Sequence, residues 1–311
     1  MPSTVVLRSD PMSRLLCLGE CMLELSSPSD NAWQLGVAGD TLNTAWYARR
    51  CLPETDWRIA YGTRIGVDLF SERVHRFLSE ARIETDWVQR DPQRTVGLYA
   101  ISLENGERHF TYWRGQSAAR HLADDSAALD AALHAANVVY YSGITLAILA
   151  PEARAKLLQA LAAARSRGCR VAFDPNHRPR LWDHTDTMAQ ETLKAAAIAD
   201  WVLPSFDDER RFFGDDSLQA CAQRYLAAGA REVVVKNAGD AMVVADAAHQ
   251  QVIDVGPPQV PVDSTAAGDA FNAAYLGARL ADQPATEAAR AGHALASRVI
   301  GAHGALVALD A

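Results

Sequence analysis

The sequence predicts an α/β protein with a mainly parallel central sheet, helices on both faces and a small additional β-sheet. Three observations predict it. From residue 137 onward, short apolar runs alternate with helix-period segments, the pattern of a parallel sheet wound with crossover helices. Residues 15–19 are a short apolar run bounded by Gly, the mark of a strand buried on both faces. Between these lie two β-rich runs, 95–103 and 108–113, on either side of Asn105-Gly106, a strong hairpin signal. A hairpin interrupting a βα series points to a small sheet protruding from the main body.

Taken in order, residues 1–13 carry no periodic pattern and read as a loose tail, removable through residue 11 without loss of activity or stability. The run Gly19-Glu20-Cys21-Met22-Leu23-Glu24-Leu25 alternates in its second half, as a chain leaving the core sheet would. Small residues 36–39 lead into a helix whose first turn offers Asp40, Thr41 and Asn43. A strand at 58–61 and a helix at 68–81 follow. Beyond the hairpin come a strand at 138–142 and a helix at 151–167 opened by Pro151, a favoured first-turn residue. A strand at 169–173 ends in Asp174-Pro175-Asn176. One helix precedes a strand at 201–204, and further helices, one of them stopped by Gly229, precede strands at 232–236 and 241–245. The last helix spans 285–301. No internal repeat, low-complexity tract or long linker divides the chain, so residues 1–311 read as one α/β domain with an inserted sheet built from segments near 20–38 and 94–115.

Composition narrows the function. With 311 residues, 49% of them hydrophobic, the chain can bury a large core. A formal net charge of −8 argues against nucleic acid or an anionic membrane as the main partner. The five cysteines lack CxxC spacing and read as reduced core thiols. No stretch approaches the roughly 20 apolar residues of a membrane span. Arg8, Asp10 and Arg14 interrupt any signal-peptide core, so a cytoplasmic protein is expected. No metal-ligand cluster is readable, and no GxGxxG follows a strand, which removes the main reason to consider a nucleotide-dependent dehydrogenase.

The chemistry concentrates at 263–271, Asp-Ser-Thr-Ala-Ala-Gly-Asp-Ala-Phe. Phe271, Ala274, Tyr275 and Ala278 recur at helix spacing, so residues 265–268 are expected to form a tight turn that opens a helix. The free N–H groups of Ala266, Ala267 and Gly268, with the helix dipole, make an anion site. Asp269 is either a plain helix-start carboxylate or a base beside that site, as phosphoryl transfer to an alcohol requires. Asp40 and Asn43, one turn apart, either cap their helix or face a polyol. In the segment 173–182, Arg178 stands between Pro175 and Pro179. It is either solvated or a fixed guanidinium suited to a carboxylate. Tyr112, Trp113 and Arg114 on the hairpin read either as cross-strand packing or as a second cationic site.

The 263–271 segment resembles the D-T-x-G-A-G-D signature of the ribokinase-like (PfkB) carbohydrate kinases, with Ser264 and Ala266 departing from the commonest form. Ala38-Gly39-Asp40-Thr41-Leu42-Asn43 is similar to the G-G-D-x-x-N segment of the same family. The segments at 19–26, 95–99, 106–114, 142–149, 174–182 and 232–236 extend the resemblance across nearly the whole chain. Together they narrow it to the branch acting on the sugar acid 2-keto-3-deoxygluconate. The resemblance implies a three-layer ribokinase-like fold with the small sheet as a lid, and ATP-dependent phosphorylation of that acid at its C6 hydroxyl. It implies Asp269 as catalytic base, with Gly39, Asp40 and Asn43 on the sugar and Tyr99, Tyr112, Arg114 and Arg178 around the carboxylate. Asn176, Lys236, Gly239, Ala266, Ala267, Gly268 and His293 would line the ATP side, although His293 reads equally as a polar residue of the last helix. Mg²⁺ is expected on the phosphates, held largely by them and by water. A homo-oligomer, dimeric or larger through the lid, is the expected assembly. The readings left beside this one are a kinase of a neutral ketose or related acid, and a non-catalytic sugar-binding regulator on the same fold. At Lys236-Asn237-Ala238-Gly239, Ala238 stands where the family often has Gly.

Overall fold

The computed structural model describes residues 12–29, 32–104, 107–256 and 259–309. The tail through residue 11 and the Asn105-Gly106 turn lie outside those residues. In chain order the elements are β1 (Ser13–Leu18), β2 (Met22–Ser29), β3 (Ala32–Ala38), α1 (Asp40–Cys51), β4 (Trp57–Ile65), α2 (Leu69–Glu80), β5 (Val88–Arg90), β6 (Gly97–Glu104) and β7 (Glu107–Trp113). Then come α3 (Ser126–His134), β8 (Val138–Ser142), α4 (Gly143–Ile148), α5 (Pro151–Ser166), β9 (Arg170–Asp174), α6 (Thr185–Ala197), β10 (Trp201–Val202), α7 (Phe206–Phe213) and α8 (Leu218–Ala228). The chain closes with β11 (Glu232–Val235), β12 (Met242–Asp246), β13 (Gln250–Ile253), α9 (Ala267–Leu280) and α10 (Ala285–Ile300).

Among the described residues, nine strands form one sheet in the order β13-β12-β11-β10-β9-β8-β1-β4-β5. Its centre is parallel, and β12 and β13 add antiparallel at one edge. Strand β1 shows why the apolar runs carry no alternation. Leu15 and Cys17 face the core under α1, α9 and α10, while Leu16 and Leu18 face the opposite core under α3, α5 and α8. Both faces are covered, so both must be apolar.

Local chemistry sets the helix ends. Asp68, Asp125, Ser142 and Ser217 accept first-turn amides of α2, α3, α4 and α8, and Pro151 opens α5. Gly229 closes α8 in the left-handed region at φ 119°, as the sequence predicts.

The remaining strands form a second sheet in the order β3-β2-β6-β7. The two hairpin pairs are antiparallel, β2 and β6 run parallel, and Glu104 stands opposite Glu107. Met22, Ala38 and Tyr99 from this sheet cluster with Ala305 and with the half-buried Ala266. One face of the small sheet therefore packs against the turn that opens α9.

Three expectations change. The strand expected over 201–204 is only the two residues of β10, and β5 and β13 were not foreseen, being short and partly exposed. The turn expected over 265–268 is shorter. Ala266 is the N-cap, at φ 60°, and Ala267 and Gly268 are already helical.

Candidate active site

Parallel strands bring their carboxyl ends to one edge, where α1 and α9 also begin. Gly39 precedes α1, and a Cβ there would overlap the carbonyl oxygen of Glu20. Only Gly permits this approach, and it sets Asp40 and Asn43 facing α9. The Asn43 Nδ2 donates to Asp269 Oδ2 at 2.8 Å, and the Asn176 Nδ2 donates to Asp40 Oδ2 at 2.9 Å. The Oδ1 of Asn43 is buried without a partner among the described residues, an acceptor open to a hydroxyl.

Beneath the start of α9 lies a buried polar network. The Lys236 ammonium donates to Asp174 Oδ2 at 3.2 Å and to Asn272 Oδ1 at 3.0 Å. The Asn272 amide donates in turn to Asp174 Oδ2 at 2.6 Å and to the Tyr140 hydroxyl at 3.0 Å. A Cβ on Gly268 would sit 3.7 Å from the Lys236 ammonium, so the cation lies against the first turn of α9. That turn supplies donors as well. The Ala267 N–H already reaches the Ser264 carbonyl at 3.3 Å, whereas those of Gly268 and Asp269 bond no described residue. Of the amides expected to hold an anion, that of Ala267 is thus occupied, while those of Gly268 and Asp269 are first-turn donors that the helix cannot satisfy. Asp263 braces the turn by accepting from Thr265 N at 2.9 Å and from Gly304 N at 2.8 Å.

Asp269 is half-buried by area yet surrounded by protein. Burial first, then the negative charges of Asp40 and Asp174, push its carboxyl up to about 8, against the opposing Asn43 hydrogen bond and the Lys236 charge. A carboxylate this basic, beside a cation and two free amides, can remove a proton from a hydroxyl while the developing phosphate charge is held.

On the small sheet, Tyr99 and Tyr112 stand opposite each other with ring centroids 5.8 Å apart. The Tyr99 hydroxyl donates to Glu24. Arg114 shares this face, 6.0 Å over the Tyr112 ring, and its guanidinium is held by the buried Glu20. Arg178 follows Asn176 in the loop after β9. Its side chain is 51% exposed, donates to the His177 carbonyl at 2.7 Å and lies 3.9 Å from Asp208. Both expected carboxylate-binding arginines thus already face an acidic partner.

Gly239 sits in the turn after β11, where Ala238 has φ 47°. His293 bonds only Ser297, at 3.3 Å, among the described residues. Burial holds its imidazole below the ordinary range. Nothing described brings it to the other nucleotide-side candidates.

Asp174, Asn272, Tyr140, Glu20 and Glu24 were absent from the sequence-derived site. Asn272 was findable, since it lies three residues after Asp269 and so on the same helix face. Both glutamates fall within the 19–26 segment. The one group of potential metal ligands among the described residues, Glu209, Asp215 and Cys221, lies elsewhere. The Arg224 guanidinium already joins its two carboxylates.

A carboxyl of raised basicity at a helix start, beside two unbonded amides, a lysine and a wall of polar side chains, is an arrangement that suits a sugar kinase. The chain belongs to the pfkB family of carbohydrate kinases, whose profile matches residues 12–311. It is 38% identical over 308 residues to the 2-dehydro-3-deoxygluconokinase of Escherichia coli strain K12, covering 96% of this chain and 98% of that protein. It is likewise 38% identical over 301 residues to the protein of the same name from Dickeya dadantii strain 3937, covering 94% and 96%. The crystal structure of 2-dehydro-3-deoxygluconokinase from Thermotoga maritima shares the fold, with a TM-score of 0.81 at 20% identity over 96% of each chain.

Proposed function

We propose that this kinase phosphorylates 2-keto-3-deoxygluconate, the 2-dehydro-3-deoxygluconate of its relatives' names, at the C6 hydroxyl. The observation that carries the reaction is Asp269, fixed by Asn43 beside the free amides of α9 and raised in basicity by its surroundings. Its free oxygen takes the proton of the C6 hydroxyl as that oxygen bonds to the γ-phosphorus of ATP. The bond from the γ-phosphorus to the bridging oxygen breaks, and ADP leaves. The Gly268 and Asp269 amides and Lys236 fit the phosphates being transferred. A divalent cation riding on those phosphates and on water would neutralise further charge.

Gly39, Asp40 and Asn43 hold the sugar, and Asn176, which donates to Asp40, stands where the sugar and ATP sides meet. The small sheet acts as a lid that excludes water, the competing acceptor. Arg114 and Arg178 take the substrate's carboxylate, and the relatives named 2-dehydro-3-deoxygluconokinase support an acid rather than a neutral sugar. The same sheet leaves Trp33 and Trp113 54% and 58% exposed, which supports assembly of a homo-oligomer through it. Sedimentation of the protein and of a Trp33→Ser variant tests that assembly.

A second reading, a neutral-ketose kinase, draws on one observation: Arg114 and Arg178 each already face a carboxylate. An ATP-consumption assay over a panel of keto-deoxy acids and ketoses separates the two. The acid reading requires 2-keto-3-deoxygluconate to give the highest kcat/KM. Fructose in that place would overturn it.

A further inference from the structure

Every described crossing between the two sheets meets at one residue, Glu20, at its backbone or at its side chain. The chain passes from β1 to β2 through Glu20, which is 1% exposed. It returns from β3 to α1 at Gly39, where a Cβ would overlap the Glu20 carbonyl oxygen. It enters β6 at Gly97, where a Cβ would lie 2.9 Å from Glu20 Oε1. It leaves β7 through Arg114 and Ser117. The Ser117 hydroxyl donates to Glu20 Oε1 at 2.5 Å, and the Arg114 guanidinium donates to Glu20 Oε2. Two glycines thus make room for the glutamate, and two donors fix both of its oxygens.

A buried ion pair contributes little net stability over an apolar pair of the same volume, because desolvation offsets the attraction. Fixed geometry is what such a pair adds. Here the geometry belongs to Arg114, whose Nε–H is buried with no partner among the described residues. The pair therefore leaves the guanidinium a donor for a second acceptor.

We propose that Glu20 is a positioning residue for acid selection, holding the Arg114 guanidinium and the strand crossings in the arrangement that receives the substrate's carboxylate. The proposal rests on the sugar-acid reading. Glu20 touches neither the phosphate nor the sugar in it, and acts through Arg114.

The test measures kcat and KM for 2-keto-3-deoxygluconate and for fructose in the wild type and in Glu20→Gln, Arg114→Ala and the double variant. Glu20→Gln keeps the shape and removes the charge. It should cut kcat/KM on the acid about tenfold or more, mostly through KM, while fructose changes less than about threefold. The double variant should lose little beyond Arg114→Ala, since both act on one interaction. Should Glu20→Gln fail to fold, Ser117→Ala removes one of the two bonds and should move the acid-to-fructose ratio in the same direction. Equal losses on both substrates, or additive losses in the double variant, overturn the proposal alone. A wild type that does not prefer the acid overturns it together with the sugar-acid reading.

Discussion

The floor of the cleft and the small sheet above it solve different problems. On the floor, Lys236, Asp174, Asn272 and Tyr140 are buried and bond one another, so that no member can move without stranding another. On the sheet, Phe110 and Tyr112 are 41% and 49% exposed, and their rings stack with centroids 6.2 Å apart. The contrast teaches where each task resides. Phosphoryl transfer tolerates little displacement of its donors, so the proposed reaction is assigned to the rigid floor. In the same proposal, the partly packed face of the sheet meets a substrate that must enter and leave, with Tyr99 and Arg114 buried beneath it.

Breaking the floor at its chemical centre should give the largest effect. Asp269→Asn keeps the shape and the first-turn position but removes the base, so kcat should fall by at least about 10²-fold while sugar and ATP binding persist. The same variant has a signature in stability. A carboxyl whose folded value is about 8 is costly to ionise, so its contribution is intact below its ordinary value and is lost as pH rises through about 8. The Asn variant should therefore gain in melting temperature over the wild type at pH 9 relative to pH 5. In the wild type, kcat/KM should climb with pH towards a plateau above about 8. Near-normal turnover in the variant would sink the assignment.

Next in size is the substrate's far end. Arg178→Ala should lose about 30-fold in kcat/KM on the acid, the equivalent of roughly 2 kcal/mol, and far less on fructose. Lys should rescue it only in part, as a point charge without the guanidinium fork. Because Arg178 is half-exposed, the melting temperature should hardly move. Equal loss on both substrates would make it a structural residue.

Lys236→Met sharpens the contrast from the other side. It should lower kcat about tenfold, and it also strands Asp174 as a buried charge without its cation, which typically costs about 3–5 kcal/mol. A clear drop in melting temperature is expected here, unlike at Arg178, and thermal scans of the two variants side by side check it. An unchanged melting temperature would mean that the floor is not the rigid half of the site.

The smallest effect concerns backbone. Ala238 and Ala266 lie at φ 47° and 60°, a region that disfavours a Cβ. Both stand where the family signature has or often has Gly. Ala238→Gly should raise stability by about 0.5–1 kcal/mol, less the added freedom of the unfolded chain, with activity retained. Chemical denaturation measures it, and a loss of stability would show that the turn carries no strain.

Much of this was legible in the residues. Buried strands, capped helices, the Gly229 stop and the hairpin follow from local periodicity and turn chemistry, which act within a few residues. Gly39, Asp40, Asn43, Asn176, Lys236 and Asp269 form one constellation because each follows a strand or opens a helix at the same edge of the sheet. Arg114 and Arg178 were legible as arginines in fixed places, but not as arginines already facing Glu20 and Asp208. His293 was placed by resemblance, and a helix rotation of one or two residues decides whether such a side chain reaches a ligand.

By itself, then, the sequence determined the order of strands and helices, the kind of turn at 263–269 and the residues offered to a sugar and a phosphate. Folding alone decided their partners. Lys236 and Asp174 are 62 positions apart, Arg114 and Glu20 94, and Asn43 and Asp269 226. No local propensity reports on such distances. A carboxyl is pushed up to about 8, and a buried arginine is held in place, only when the packed chain removes water and sets other charges around them.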